Sequence, residues 1–371
     1  MSSSNKPVYA VVVIVIIAIG AIGGLYVMGV FTPPELPENP YAVAIVFATG
    51  GLGDKSFNDA AFKGATDAKN EFGINFTYVE PTEITQYEDY LRTYAQHQEY
   101  RDPYKLIIGI GFDQADAMMT VANETPDQRF AIVDMFIDPT VYPNISSIVF
   151  NENEGSALVG AIAGLMTDTG KIGFVGGMDI DLINKFAGGY VFGANYSWTA
   201  ETGRNETTPL QWDVQYVGGW SDTATGQSLA DAMYTAGTDV IFAAAGRSGL
   251  GVFTSCKNKN GTGGQTDWVI GTDSPQMYLG CADPNNPAPP TVCLTSMLKR
   301  VDIAVYRAIR SIVDNSFTGG LSVYSLANGG LGFEQNTALL TLPASVVAFT
   351  TQLQFDIVAG NIVVPSTKYW M

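Results

Sequence analysis

The side chains able to do chemistry are few, and their types already narrow what they can do. His97 is the only histidine among 371 residues. A hydroxyl or thiol nucleophile activated by imidazole would have to run through it, and a histidine-rich metal centre is excluded. Cys256, Cys281 and Cys293 all lie late in the chain. The last two bracket ADPNNPAPPTV, a loop that a disulfide would close unless the thiols are simply buried. Asp113, Asp116, Asp134 and Asp138 make an acidic group of the kind that holds calcium, but without EF-hand spacing. No paired catalytic motif accompanies them, so neither an enzyme nor a bound metal or cofactor is expected.

One stretch has the look of a ligand loop. Residues 49–59 read TGGLGDKSFND, a glycine-rich turn followed by Lys55-Ser56. A phosphate loop needs glycine directly before that pair, and Asp54 stands there instead, with a negative charge where phosphate would sit. What remains is a turn that presents Phe57 and Asn58 at a helix start. Phe57 is either a core residue or a platform for a flat ligand. Asn58 is either a helix cap or a ligand contact.

These residues are positioned by a repeated strand–helix pattern. Apolar runs at 41–48, 105–109, 129–134, 146–150, 171–176, 213–217, 239–244, 267–273 and 294–298 are continuous rather than alternating, as strands covered on both faces should be. Stretches 58–71, 154–167, 226–235 and 301–313 have helical spacing. Alternation of this kind predicts doubly wound parallel sheets. Residues 41–150 and 171–273 run through the same order of elements, which predicts two similar α/β lobes. In open parallel sheets ligands bind beyond the carboxyl ends of the strands, so two facing lobes make a cleft.

The apolar fraction is 46 %, ample for a large core, while 36 acidic against 19 basic residues give a net charge of −17. Such a surface repels phosphate backbones, and nucleic acid is not an expected partner. Residues 8–31 carry no charge over 24 positions, long enough for one membrane-spanning helix. Lys6 precedes the run and Glu35 and Glu38 follow it, which predicts a cytoplasmic N-terminus and an extracytoplasmic body. No cysteine follows to carry a lipid. Residues 32–40, TPPELPENP, read as a stiff spacer. Sequons at Asn75, Asn123, Asn144, Asn195, Asn205 and Asn260 suit a glycosylated exterior.

Several separate motifs then carry a resemblance. GGLGDKSFNDAAFKG at 50–64, EGSALVGAIAG at 154–164, TGKIGFVGGM at 169–178, YVGGWSDTATG at 216–226, AAGRSGLG at 244–251, VIGTDS at 269–274 and TSMLKRVD at 295–302 occur in order. Over roughly 42–335 the chain resembles the basic membrane protein family of substrate-binding proteins, which includes the purine nucleoside receptors of ABC importers. The resemblance implies a type I periplasmic-binding-protein fold with three hinge crossings. Lobe one would be 41–148 with 299–320, and lobe two 149–298 with 321–371. It implies an extracytoplasmic protein that captures a nucleoside and hands it to an ABC permease, with the membrane helix in place of a lipid. A ligand-sensing receptor, or a binder of another solute such as a sugar, is the alternative.

The resemblance also implies a site. A purine would lie between Phe57 and Trp220, one ring per lobe. Asp134, Asp273 and Lys299 would grip the ribose, Gly246 would let the backbone approach, and Asn58 would help on base or ribose. Carboxylates suit hydroxyl donors because they accept two at once. Two departures stand out. Many members have an Asp just ahead of the Gly-Gly pair, where this chain has Ala48 and Thr49, so recognition of the base is open. Arg247 follows Gly246, where small residues are common, and either meets the ligand or Trp220 or is a surface residue.

Overall fold

The computed structural model describes residues 36–97, 100–200, 208–260 and 267–370. The expected membrane span, residues 8–31, and the start of the spacer lie outside them. Among the described residues no helix is long and apolar enough to cross a membrane.

An apolar strand buried on both faces needs helices above and below it, and the chain supplies one after nearly every strand. The first lobe begins with Val43–Val46 (β1), Phe57–Phe72 (α1), Phe76–Val79 (β2), Tyr87–Gln96 (α2), Leu106–Ile110 (β3), Ala115–Glu124 (α3), Phe130–Val133 (β4) and Ile145–Phe150 (β5). The chain then crosses over. Glu152–Met166 (α4), Lys171–Gly176 (β6), Asp181–Ala200 (α5), Gln211–Tyr216 (β7), Thr223–Thr235 (α6), Val240–Ala244 (β8), Gly249–Asn260 (α7), Trp268–Asp273 (β9) and Cys293–Lys299 (β10) follow. It crosses back through Val301–Val313 (α8) to Gly320–Tyr324 (β11), and ends with Leu331–Phe333 (β12) and Ala344–Val358 (α9).

The two sheets have the same strand order: β2-β1-β3-β4-β5-β11 in one and β7-β6-β8-β9-β10-β12 in the other. Every pairing is parallel except β10 with β12. The internal repeat read in the sequence is therefore a repeat of topology. β11 lies beside β5, with Gly320 opposite Ser146, so the chain leaves the first sheet after Tyr324 rather than at 320. Three strands had no counterpart in the sequence reading: β2, β11 and β12 are short and only partly buried.

Glycines set how closely the helices pack. A Cβ on Gly193 of α5 would stand 1.9 Å from the Ala157 carbonyl oxygen of α4, and one on Gly160 of α4 would stand 2.1 Å from that of Tyr190. Backbone thus touches backbone, and α4 is buried on nearly every face. In the first lobe Gly64 of α1 meets the Asp302 carbonyl of α8 in the same way.

Two readings of the exterior chemistry change. Cys256, Cys281 and Cys293 are free buried thiols, so no disulfide closes the 281–293 loop. A backbone bridge between Cys281 and Thr291 closes it instead. Asn75, Asn123 and Asn195 are exposed. The Asn144 amide, however, donates to the carbonyls of Ala122, Thr125 and Gln128, and Asn260 donates to Asp267. A glycan on Asn144 would break three hydrogen bonds; Asn205 lies outside the described residues.

Residues 36–39 with 97 and 100–103 form a small separate unit, in which Arg101 donates to the Pro37 carbonyl and pairs with Glu38 at 2.7 Å.

Gly193→Ala should destabilise the protein by about 1–3 kcal/mol, because the added methyl has only backbone to push against. Gly332→Ala, where a Cβ meets nothing within 4 Å, should stay within about 0.5 kcal/mol of the parent. Urea unfolding of both variants checks this; equal midpoints would mean the α4–α5 contact is loose.

Candidate functional site

The carboxyl ends of both sheets open onto one cavity, with about 690 Å³ of atom-free space when its mouth is included. Phe57, Asn58, Asp134, Trp220, Gly246, Arg247, Asp273 and Lys299 all border it. Each sits at or just beyond the end of a strand or at the start of α1, where a doubly wound fold puts its ligand contacts.

The glycine-rich loop is held from within. Asp54 accepts the backbone N–H groups of Ser56, Asn58 and Asp59. Its carboxylate thus occupies the anion position at the N-terminus of α1, which is why no phosphate is needed there. Asp59 accepts from Gly53 and Lys55, and Glu80 accepts from Leu52. Asn58 is committed to the same loop: its carbonyl oxygen takes the Ala48 N–H at 3.1 Å, and its amide donates to the Gly51 carbonyl at 3.2 Å.

The second lobe grips this loop directly. Arg247 donates to the carbonyls of Gly50 and Leu52 at 2.8 and 2.7 Å. Gln276 donates to Lys55, Ser274 donates to Ser56, and the Ser56 hydroxyl donates to Asp273. Arg247 is therefore an interlobe tie as well as a cavity wall. Ser274 and Gln276 were not singled out from sequence, and Ser56 only as half of the Lys-Ser pair, because each works through a partner more than 200 positions away.

At one end of the cavity lies a buried charge cluster. Lys299, 2 % exposed, stands 2.6 Å from Asp134 and 3.1 Å from Glu152. Lys185 reaches the other Glu152 oxygen at 3.2 Å. The Lys299 ammonium also faces three rings, Phe57 at 5.3 Å, Phe150 at 4.9 Å and Phe186 at 5.5 Å from their centroids. Burial works against its charge, but Asp134, Glu152 and Asp273 together raise its pKa above the ordinary value. Burial pushes Asp134 upward, and the ammonium pulls it part of the way back. The second Asp134 oxygen, Oδ1, is buried without a hydrogen-bond partner among the described residues. Asp273, pushed to about 6 chiefly by burial and held down by Lys299 and Ser56, completes this end.

At the other end the walls are flat. The Trp220 ring lies against Gly177, where a Cβ would come within 2.1 Å of it, and its backbone is tied to Ser248. Asp222 caps α6 just beyond it. Phe57 is half-buried, on the side of the cavity where its ring faces the Lys299 ammonium.

The acidic group read from the sequence does not converge. Asp134 pairs with Lys299, Asp138 caps its own turn at Thr140, and Asp113 meets the Tyr87 hydroxyl at 3.1 Å. Glu152, Phe150, Phe186, Tyr87 and Glu80 were not anticipated. Glu152 alone had a signal, an acid just ahead of a helix entering from a strand.

Comparison with known proteins points one way. A family model described as ABC transporter substrate-binding protein PnrA-like matches residues 41–366. A Lactococcus lactis protein named ABC transporter nucleoside-binding protein BmpA is 35 % identical over 330 residues, covering 87 % of this chain and 88 % of that one. Basic membrane protein A of Borreliella burgdorferi is 30 % identical over 323 residues, covering 86 % of each. The crystal structure of an ABC transporter solute-binding protein from Aeropyrum pernix superposes with a TM-score of 0.75 at 29 % identity, over 88 % of this chain and 94 % of that one.

Removing the ammonium should be costly. Lys299→Met strands Asp134 in the interior, leaves Glu152 with Lys185 alone, and should destabilise the protein by about 3–5 kcal/mol in urea titrations. Asp273 gives a pH test. Its folded pKa of about 6 lies above the ordinary 3.8, so between those values the folded state holds a proton the unfolded state has lost. This group's contribution is then full below about pH 4 and falls as pH rises through 6, by on the order of 3 kcal/mol. Relative to Asp273→Asn, the unaltered protein should lose melting temperature from pH 4 to pH 7; parallel curves would refute the assignment.

Proposed function

Because the chain belongs to the family of PnrA-like ABC transporter substrate-binding proteins, we propose that its cleft captures a nucleoside, a purine nucleoside first, and that the loaded protein delivers it to an ABC import permease. The observation that carries this reading is one cavity bordered by two kinds of group, the buried charges of Asp134, Asp273 and Lys299 and the rings of Phe57 and Trp220. A nucleoside has the same division: a sugar with hydroxyl donors and a planar base.

In this reading the ribose hydroxyls donate to Asp134 and Asp273. The free Asp134 oxygen is an acceptor already desolvated and waiting for a donor. Lys299 keeps both acids ionised and offers its remaining proton to a ribose oxygen. Phe57 and Trp220 stack on the base, and Gly246 keeps the wall beside Trp220 thin. Arg247 and Asn58 act chiefly by fixing the loop that carries Phe57. The name of the Lactococcus relative, a nucleoside-binding protein, agrees with this assignment.

The reading is of a binder rather than an enzyme. Its cleft acids are paired with Lys299 and Ser56, an arrangement suited to holding hydroxyls. The apolar run at 8–31 would anchor the body outside the cytoplasmic membrane, beside the permease it serves.

Melting temperature in the presence of adenosine, guanosine, inosine, cytidine, uridine or thymidine tests the ligand class. Purine nucleosides should raise it in proportion to ln(1 + [L]/Kd). No shift with any of them at millimolar concentration would overturn the nucleoside assignment and move sugars to the front. Phe57→Ala should weaken binding about 5- to 150-fold, the worth of one base–aromatic stack. Trp220→Phe should cost far less; Trp220→Ala is less clean, because the ring also packs on Gly177.

A further inference from the structure

We propose that Asp113, seated by Tyr87, is the acceptor that reads the hydrogen-bonding edge of the base, and that it favours nucleosides presenting adjacent N–H donors there, guanosine above all. This deepens the nucleoside reading and rests on it.

The loop 49–57 runs along the second lobe from one end of the cavity to the other. Its start is at the flat end: a Cβ on Gly50 would stand 3.8 Å from that of Trp220. Its end is at the charged end, where Ser56 meets Asp273 and Phe57 faces Lys299. A base stacked at the flat end therefore turns its polar edge toward the groups around Thr49 and Gly50.

Most of those groups are already committed. Asp54 holds three backbone N–H groups, Asn58 spans Ala48 and Gly51, and Arg247 holds two loop carbonyls. The Thr49 N–H donates to the Tyr87 hydroxyl at 2.9 Å. Asp113 differs. It borders the cavity, and the Tyr87 hydroxyl is the side-chain donor that reaches its Oδ2. A carboxylate has about four acceptor sites, so capacity remains for a ligand.

The seat is rigid. Tyr87 is fully buried, and its hydroxyl is pinned between Thr49 and Asp113. Gly111 has a φ of 116°, and a Cβ there would strike Asp113 Oδ1 at 2.9 Å and the Ala48 methyl at 3.3 Å. The absence of a side chain is what lets the carboxylate stand beside the loop. Burial raises the pKa of Asp113, and it raises that of Tyr87 as well, which keeps the phenol a donor.

The chemistry of the edge then selects. Guanine offers an amide N–H and an amine N–H side by side, a match for the two oxygens of one carboxylate. Adenine sets a lone pair beside its single amine. Unsubstituted purine riboside offers no donor on that edge, and a site built for donors rejects an analogue that lacks them.

Calorimetric titration of the unaltered protein, Asp113→Asn and Tyr87→Phe with guanosine and with purine riboside tests this. The unaltered protein should bind guanosine at least tenfold more tightly than purine riboside. Asp113→Asn should weaken guanosine about tenfold or more and leave purine riboside within twofold, so that the ratio collapses. Tyr87→Phe should lower the ratio part of the way. Asp113→Ser serves as a second variant if Asp113→Asn does not fold. An unchanged ratio, or equal loss of both ligands, overturns the role of Asp113 while leaving the nucleoside reading intact. Failure of both ligands to bind the unaltered protein overturns the purine nucleoside reading, and this inference with it.

Discussion

The structure depends on one buried ammonium. Lys299 closes the last strand before the chain returns to the first lobe, and its partners come from both sides of the crossings: Asp134 beyond β4, Glu152 at the start of α4, Phe150 at the end of β5. Two carboxylates and three rings around one cation offset a desolvation cost that a single pair would not. Lys185 supplies the second positive charge, so Asp134, Glu152, Lys185 and Lys299 together are neutral. A hydrophobic isostere would fill the same space, but it would not fix where the strand ends stand relative to one another. The ion cluster does, and everything else in the cleft is referenced to it.

The glycine-rich loop is the second fixed point. It has no internal ladder to hold it, so acids substitute: Asp54, Asp59 and Glu80 each bind its backbone N–H groups. Asn58 takes one of its carbonyls, that of Gly51, and others are left for the opposite lobe, where Arg247 and Gln276 take them. Donors and acceptors of the loop are thereby divided between the lobes, and the closed arrangement has direct bonds of its own. A ligand need only add differential affinity for that arrangement to shift the population toward it.

Much of the fold was legible in the sequence because its signals are local. All nine apolar runs became strands, with ends displaced by no more than a few residues, and the four stretches with helical spacing became helices. What was missed has physical reasons. The α5 sequence carries Gly188, Gly189 and Gly193, which propensity counts against a helix, yet these let it touch the backbone of α4 and of residue 367. The spacing of Ala115, Met118, Val121 and Ala122 in α3 was readable, but the segment is only ten residues long. β11 and β12 exist through long-range pairing and show no continuous apolar run. In the site, Phe57 and Asn58 could be named from the glycine-rich turn, and Asp134, Trp220, Gly246, Asp273 and Lys299 from the family resemblance; topology gathers them at the strand ends. Of the partners that orient them, Tyr87 and Phe186 could not, since each acts through a contact the chain makes only once folded, and Glu152 left only the signal of an acid at a strand-to-helix junction.

The two halves of the cleft began from one plan and were put to different uses. Asp134 and Asp273 stand at the carboxyl end of the fourth strand of each repeat, and both adopt left-handed backbone, with φ of 70° and 62°. Few residues other than glycine are found there, and two acids at equivalent places point to a shared geometric need: a side chain turned back over the strand ends toward the cavity. Their partners differ. Asp134 faces Lys299, while Asp273 takes a serine hydroxyl from the opposite lobe and is pushed to about 6. The second repeat has contributed the cation on its following strand, and the first has contributed the loop. Neither lobe alone therefore carries the complete set of donors and acceptors that borders the cleft.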